Sequence, residues 1–502
     1  MNLASIRNIL FNWMGMAANI LYGFFLVPIV IRGLGDAHYG LWNLVMSCVG
    51  YMAVLDFGIQ TAVNRYVAKY RGIDDVDGVN SVYTNAIVMY SFIAAAALVI
   101  GAAIALNAGR IFNVSPSDAL LVRDVMLLMT LFAAIELPCN VFGAVLYAYQ
   151  RFDILNGISI SMLCLQALFV WLAMHNGVGL WGYSVILFGL GVLKYIIQYF
   201  ACHRVAGALK FRIPLISRAT VRTMVTFSGI TFLSIIVNYI IFKTDNIVIG
   251  LFLSPEAITF YSIGFMLSDY VAQIVTKMCS TFTPMFSEYE AKGQHEPFKQ
   301  LLLNSSRFSS LIGVPAGLVV MALGRDFIRL WLGTGYEEAF VVMVILMASR
   351  MVGFPTAAMS SMLYGIGRHY INLYTGVFEA VANIVLSVIL VKLYGIKGVA
   401  IGTLVPMVLA NIFYPVMVCR NMGINFWSWM LEAVIKPGII SAVFFGIVLM
   451  IPRSCSTPSW AGLLGDIVVI GIVFIALFWF VGLKTEERAL ILARIRLVRA
   501  TG

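Results

Sequence analysis

Charge is the scarcest material in this sequence. Asp, Glu, Lys and Arg together make 11% of its 502 residues, whereas 61% are hydrophobic. Soluble domains carry roughly 25% charged residues to cover a water-facing surface. The composition therefore excludes a cytosolic enzyme, a nucleic-acid binder and a disordered chain, and points to a polytopic membrane protein. Histidine is nearly as sparse, with 5 residues and no cluster. No G-x-x-x-x-G-K-[ST] is present to power the chain through a P-loop, and neither H-E-x-x-H nor G-x-S-x-G occurs. The longest connections, 203–224 and 286–304, are short for an extramembrane catalytic domain, so an enzyme is not expected. The seven cysteines (48, 139, 164, 202, 279, 419 and 455) show no C-x-x-C pair and no zinc spacing. Six lie in apolar stretches and read as packing residues, with no metal site implied. A cleavable signal is missing too: the apolar run 9–31 is too long for an h-region and no A-x-A site follows, so it reads as the first membrane helix.

What is present is a series of long apolar runs. Crossing a hydrocarbon core of roughly 30 Å takes about 20 residues at about 1.5 Å each. That rule places fourteen spans, at 8–31, 40–63, 81–106, 121–149, 153–175, 179–202, 225–250, 258–285, 305–323, 339–366, 370–392, 396–419, 433–451 and 461–483. Of the 33 basic residues, 20 fall on the side shared with the termini and 8 on the other. The remaining 5 (Lys194, Lys243, Lys277, Arg350 and Lys436) fall in or at the edge of spans, since 33 − 20 − 8 = 5. Basic residues accumulate on the cytoplasmic side, so both termini are expected there.

The two halves of the chain match at a nearly constant offset. Pro138, Leu146, Tyr147 and Arg151 recur as Pro355, Leu363, Tyr364 and Arg368, each 217 later, and Gly33 recurs as Gly250. Gly179 and Gly182 recur as Gly395 and Gly398, 216 later, and Tyr39 finds Tyr261 if five residues are inserted. The pattern P-x7-L-Y-x3-R includes residues rare in apolar helices and points to a repeat of six spans. Six is even, so the copies enter the membrane from the same side, related by an axis along the membrane normal. The expected fold is an all-α polytopic membrane protein with about fourteen transmembrane helices: two parallel six-helix bundles plus an extra helix pair. Its expected divisions are 1–202, a basic cytoplasmic linker 203–224, 225–420, appended helices at 421–483, and a basic amphipathic tail 484–502. Gly313 with Gly317, and Gly398 with Gly402, read as close-packing faces. The tryptophans near span ends read first as interfacial anchors.

The chemistry must lie in the few ionisable residues at depth. These are Asp56, Glu136, Lys194, Lys243, Asp245, Asp269, Lys277, Arg350 and Glu379. Each costs about 2.5–3.5 kcal/mol at a helix centre on insertion scales, so each is expected to face a bundle interior or a wet cavity. One reading is interhelical ion pairs that fix packing. The other treats Lys194, Lys243, Lys277 and Arg350 as cations for an anionic substrate. Asp269 and Lys277, eight apart, sit about 80° apart around a helix and can share a face; Lys243 and Asp245, two apart, point away from each other.

The segment LVPIVIRGLGDAHYGLWNLVMSCVGYMAVLDFGIQTAVNRYVAKYRG (26–72), its weaker copy DNIVIGLFLSPEAITFYSIGFML (245–267), and the pair LYAYQRFD (146–153) and LYGIGRHY (363–370) carry a family resemblance. The chain resembles the polysaccharide-transporter branch of the multidrug/oligosaccharidyl-lipid/polysaccharide flippase superfamily, the Wzx-type O-antigen and exopolysaccharide flippases. The resemblance implies a V-shaped pair of six-helix bundles. It also implies translocation of a polyprenyl-diphosphate-linked oligosaccharide across a bacterial inner membrane, for O-antigen, capsule or exopolysaccharide synthesis. In that setting Lys243, Lys277, Arg350 and Lys194 form a cationic lumen for the diphosphate. Asp56, Glu136, Asp245, Asp269 and Glu379 serve as H⁺ or Na⁺ coupling groups or as structural ion pairs, with no other cofactor. A monomer embedded in membrane lipids, working beside a polysaccharide polymerase and chain-length machinery, is expected. The alternatives are a multidrug/cation antiporter of the same fold, a peptidoglycan-precursor flippase and, further off, a membrane glycan polymerase.

Overall fold

Hydrocarbon offers no partner for a backbone amide, so a lipid-embedded chain must satisfy its hydrogen bonds within each segment or in a closed barrel. A computed structural model, which describes residues 3–451, 459–489 and 492–493, follows the first route: every regular element among the described residues is helical. Thirteen of these helices are long and apolar enough to cross a membrane. The protein is a multi-pass membrane protein. Cys455, Arg453 and most of the expected tail (490–491 and 494–502) lie outside the described residues.

Contacts divide the chain into two units, 1–259 and 260–502. The first contains α1 (Leu3–Leu34), α2 (Asp36–Val54), α3 (Ile59–Arg71), α4 (Val76–Leu106), the one-turn α5 (Ala108–Ile111), α6 (Ala119–Ala148), α7 (Phe152–His175), α8 (Leu180–Val205) and α9 (Arg218–Phe252). Within it α4 packs on α6, α6 on α8, α1 on α7, and α9 on α2. Small residues make such approaches possible. Ala94, Ala97, Gly101 and Ala105 form one buried face of α4, while Phe92 and Val99 on the same helix are exposed. Apolar side chains facing outward cost nothing in lipid, and association there is driven by close van der Waals packing.

The second expected span, 40–63, is not one helix. It is divided into α2 and α3 by a turn over residues 55–58. Phe57 (φ 50°) and Gly58 (φ 68°) both take the left-handed conformation there, which no continuing helix contains. Hydropathy alone runs smoothly across this point, because one Asp among apolar neighbours does not lower a window average enough to mark a break.

The basic segment 206–217 is a strap held against α4. Asn80, Thr84 and Asn85 are fully buried and reach it one turn apart. The Asn80 side chain accepts from the Lys210 amide at 2.7 Å and donates to the Ala208 carbonyl at 3.2 Å. Asn85 accepts from the Ser217 amide and donates to the Leu215 carbonyl, both at 2.9 Å. The Thr84 hydroxyl accepts from the Arg212 amide at 3.2 Å. A strap whose one regular element is the short 3-10 turn Ile213–Leu215 thus has several of its backbone groups satisfied by side chains. It lies inside the first unit, and α9, which follows it, packs there as well.

The second unit continues through α10 (Pro255–Ser280), whose first turn straddles the boundary, then α11 (Thr283–Ala291), α12 (His295–Leu332), α13 (Glu337–Gly353), α14 (Ala357–Gly365), α15 (Tyr370–Tyr394) and α16 (Ile396–Met422). The one-turn α17 (Phe426–Trp429), α18 (Lys436–Met450) and α19 (Trp460–Leu477) complete it. Its core gathers Val275, Cys279, Phe286, Met347, Met359 and Trp429. The two glycine pairs act as close-packing faces: a Cβ on Gly313 would lie 2.6 Å from the Phe354 ring, and one on Gly402 2.5 Å from the Ser387 hydroxyl. The tail begins by docking, with Glu487 accepting from the buried Arg307 guanidinium of α12.

The repeat is visible in local geometry. Arg151 N–H donates to the Leu146 carbonyl at 3.0 Å, and Arg368 N–H to the Leu363 carbonyl at 2.9 Å. Each bond closes a helix end through a left-handed residue, Gln150 (φ 58°) in the first copy and Gly367 (φ 71°) in the second. The ring pairs Tyr147–Phe152 (4.9 Å) and Tyr364–His369 (5.4 Å) also recur at the same offset.

Candidate functional site

Close packing explains the glycine in the run 36–40. A Cβ on Gly40 would lie 1.8 Å from the Pro255 carbonyl oxygen, so only glycine lets α2 approach the start of α10 this closely. The Thr259 hydroxyl donates to the Asp36 carbonyl at 2.7 Å and closes the same contact.

In the first unit, two acids at depth are each met by a tyrosine. Asp56 sits in the turn that separates α2 from α3 and accepts the hydroxyl of Tyr90, a ring wholly buried in α4. Glu136 on α6 accepts the hydroxyl of Tyr195 on α8, and the Asn140 side-chain oxygen lies 3.3 Å from the same hydroxyl. Neither carboxylate has an ion-pair partner among the described residues. Hydrogen bonds from neutral donors satisfy a carboxyl group in either protonation state without fixing its charge. The pairs Tyr90–Asp56 and Tyr195–Glu136 were not legible in the sequence, because the partners lie 34 and 59 residues apart with no motif between them.

Asp245 on α9 is almost completely buried, at 1% exposure, and the Tyr51 hydroxyl beside it pairs with Thr244. Asn246 donates to the Ser47 hydroxyl at 3.0 Å, so this stretch of α9 is fixed to α2 by polar contacts. Lys243, two residues before Asp245, is exposed on the other face, as the helical period requires. Lys194 is half-buried, with its ammonium 5.2 Å from the Tyr195 ring centroid.

In the second unit the structure brings three of the nine residues together. Arg350 on α13 donates to Asp269 on α10 at 3.0 Å, with side chains 13% and 28% exposed. Glu379 of α15 lies in the field of the same guanidinium. Gln273 donates to the second Asp269 oxygen at 2.8 Å, and the Phe265 ring lies 5.7 Å from the Arg350 guanidinium carbon. One carboxylate is thus paired with the cation, and a second carboxyl group lies in its field. Lys277 is not part of this cluster: it is exposed and makes no ion pair among the described residues. Asp269 pairs across helices with Arg350 rather than along its own helix with Lys277. A planar guanidinium held at the right distance is a better partner than a residue displaced around the helix. No group of three or more His, Cys, Asp or Glu is arranged to hold a metal ion among the described residues.

A family model described as polysaccharide biosynthesis protein matches residues 29–341, more than half of the chain. The chain belongs to that family. Among similar proteins, a putative O-antigen transporter of Shigella flexneri is 22% identical over 408 residues, covering 79% of this chain and 93% of that protein. A probable low-salt glycan biosynthesis flippase, Agl15 of Haloferax volcanii, is 21% identical over 231 residues, covering 46% of this chain and 49% of its own length. Among solved structures, the lipid II flippase MurJ superposes with a TM-score of 0.74 at 13% identity, covering 94% of this chain and 98% of MurJ. An inward-facing multidrug resistance MATE transporter superposes with a TM-score of 0.69 at 14% identity, covering 80% and 94%. At such identities the two superpositions show a shared fold.

Proposed function

We propose that the chain is a flippase that translocates a polyprenyl-diphosphate-linked oligosaccharide across the inner membrane for surface polysaccharide synthesis. The observation that carries this reading is membership of the polysaccharide biosynthesis family, joined to a putative O-antigen transporter that aligns along 93% of its length. Physics supplies the need for such a protein. Sugars and a diphosphate lose their hydrogen bonds to water in hydrocarbon, and several kcal/mol per unsatisfied group blocks unaided crossing. The exposed Lys243 and Lys277 supply uncommitted positive charge for the diphosphate, with Lys194 and the partly neutralised Arg350 beside it in role. Asp56 and Glu136, held by tyrosine hydroxyls rather than by cations, suit reversible protonation and couple the cycle to H⁺ or Na⁺. The excess of basic residues on one side of the spans, 20 against 8, supports cytoplasmic termini.

The test is complementation of flippase-deficient strains of known glycan type. The wild-type chain restores surface glycan in at least one, whereas Lys243→Ala with Lys277→Ala inserts normally and restores little. Full complementation by the double variant removes the role given to the two lysines. Failure in every glycan background, with the protein inserted, removes the flippase reading itself.

A further inference from the structure

The two L-Y-x3-R turns differ at one position that changes their electrostatics. In the first copy the Arg151 fork is taken up by Asp153: Nε donates at 3.0 Å and Nη2 at 2.8 Å to its two carboxylate oxygens. Adding the repeat offset, 153 + 217 = 370, leads to Tyr370 in the second copy. The turn, the ring pair and the arginine are retained there, but the carboxylate is gone. Arg368 instead lines a cavity of about 250 Å³ together with Lys299, His295, Gln294 and Asn421, with Glu290 as an acidic wall residue. Arg368, Lys299 and His295 have no ion-pair partner among the described residues. With His295 neutral the wall carries 2 − 1 = +1.

We propose that this cavity binds a lipid-borne phosphate or diphosphate head group. The planar Arg368 fork and the Lys299 point charge together suit a multiply charged tetrahedral anion, and the Gln294 and Asn421 amides add neutral donors. A volume of about 250 Å³ is below the roughly 300–1,000 Å³ of sites that enclose a whole drug-sized ligand. The cavity therefore takes a head group and leaves the attached oligosaccharide outside. It is assembled from the connections after the eighth, tenth and twelfth expected spans, all on the side of the membrane that carries most of the basic residues. A prenyl-anchored diphosphate made on that side meets the cavity before it is moved, so the cavity serves as its first docking point. The choice of a prenyl diphosphate as the source rests on the flippase reading; the binding of a phosphate group does not.

The experiment titrates the full chain, in nanodiscs of zwitterionic phosphatidylcholine at low salt, with inorganic pyrophosphate in a calorimeter. Wild type binds, Arg368→Gln and Lys299→Gln each weaken binding by about tenfold or more, and Arg368→Lys retains part of it. Arg151→Gln leaves it unchanged, because that guanidinium is already occupied by Asp153. Thermal midpoints equal to wild type establish that the variants are folded. The proposal is overturned if wild type does not bind, if both glutamine variants bind as wild type does, or if Arg151→Gln weakens binding equally. A short-chain polyprenyl diphosphate and phosphatidylglycerol are then added as competitors. Displacement by the first alone assigns the prenyl carrier, displacement by the second assigns membrane phospholipid, and displacement by neither overturns a lipid-borne ligand. Glycan export, read separately by complementation, tests the flippase function without reference to this cavity.

Discussion

Arg350 and Asp269 are 81 residues apart in the chain and 3.0 Å apart in the fold. Their sequence pattern marked both as residues at depth, since any ionisable group in an apolar run is expensive and must face something. It did not tell which acid meets which base: Lys277, eight residues from Asp269, was as good a partner by helical period as any. Only the packing of α10 against α13 selects the arginine. A paired charge of this kind is costly to break from one side, because the survivor remains in a poorly solvated place. Arg350→Gln and Asp269→Asn are each expected to destabilise the protein by about 1–3 kcal/mol, with the double variant costing less than the sum. Thermal unfolding of the four proteins in detergent measures this, and strict additivity of the two single effects would rule out the pairing. The tyrosine partners of Asp56 and Glu136 were illegible for a related reason. A tyrosine in an apolar helix reads as a core or interface ring, and the direction of its hydroxyl is a matter of tertiary placement.

Among the elements, the break between α2 and α3 departs most from the expected pattern. The run 40–63 is apolar enough to read as one span, and its single Asp56 reads as one more buried charge. The structure shows a turn, with Gly58 at φ 68° and ψ 17° before the first residue of α3. A non-glycine residue in that conformation costs about 1–2 kcal/mol. Gly58→Ala is therefore expected to lower stability by that amount and to reduce glycan export further than the lost stability explains, because Asp56 shares the turn. A thermal midpoint and an export level both equal to wild type would contradict this. The strap at 206–217 is the opposite case. Its basic, unpatterned sequence was legible as a linker, but not its seat on Asn80, Thr84 and Asn85, three polar residues at the start of a largely apolar helix.

For the whole molecule, the six-span repeat was visible at an offset of 217 and reappears as matched backbone bonds at Arg151 and Arg368. The excess of basic residues on one side of the fourteen expected spans, of which thirteen are matched by long apolar helices among the described residues, makes an expectation about orientation. A fluorescent protein fused to the C-terminus should fluoresce and alkaline phosphatase fused there should be inactive; active phosphatase would invert the topology.

Sequence by itself determined that this chain spans a membrane many times, that its halves carry matching motifs at an offset of 217 and where its few charges lie along the helices. Those properties follow from the period of the helix and the thickness of the bilayer, both of which act on contiguous residues. Tertiary structure alone decided which charges neutralise one another, that Asp56 lies at a helix break, and that Arg368 faces a cavity with Lys299 where Arg151 faces Asp153. The ion pair and the cavity depend on groups brought together from distant helices, and apolar helices of similar composition carry no local signal of which neighbour they will meet.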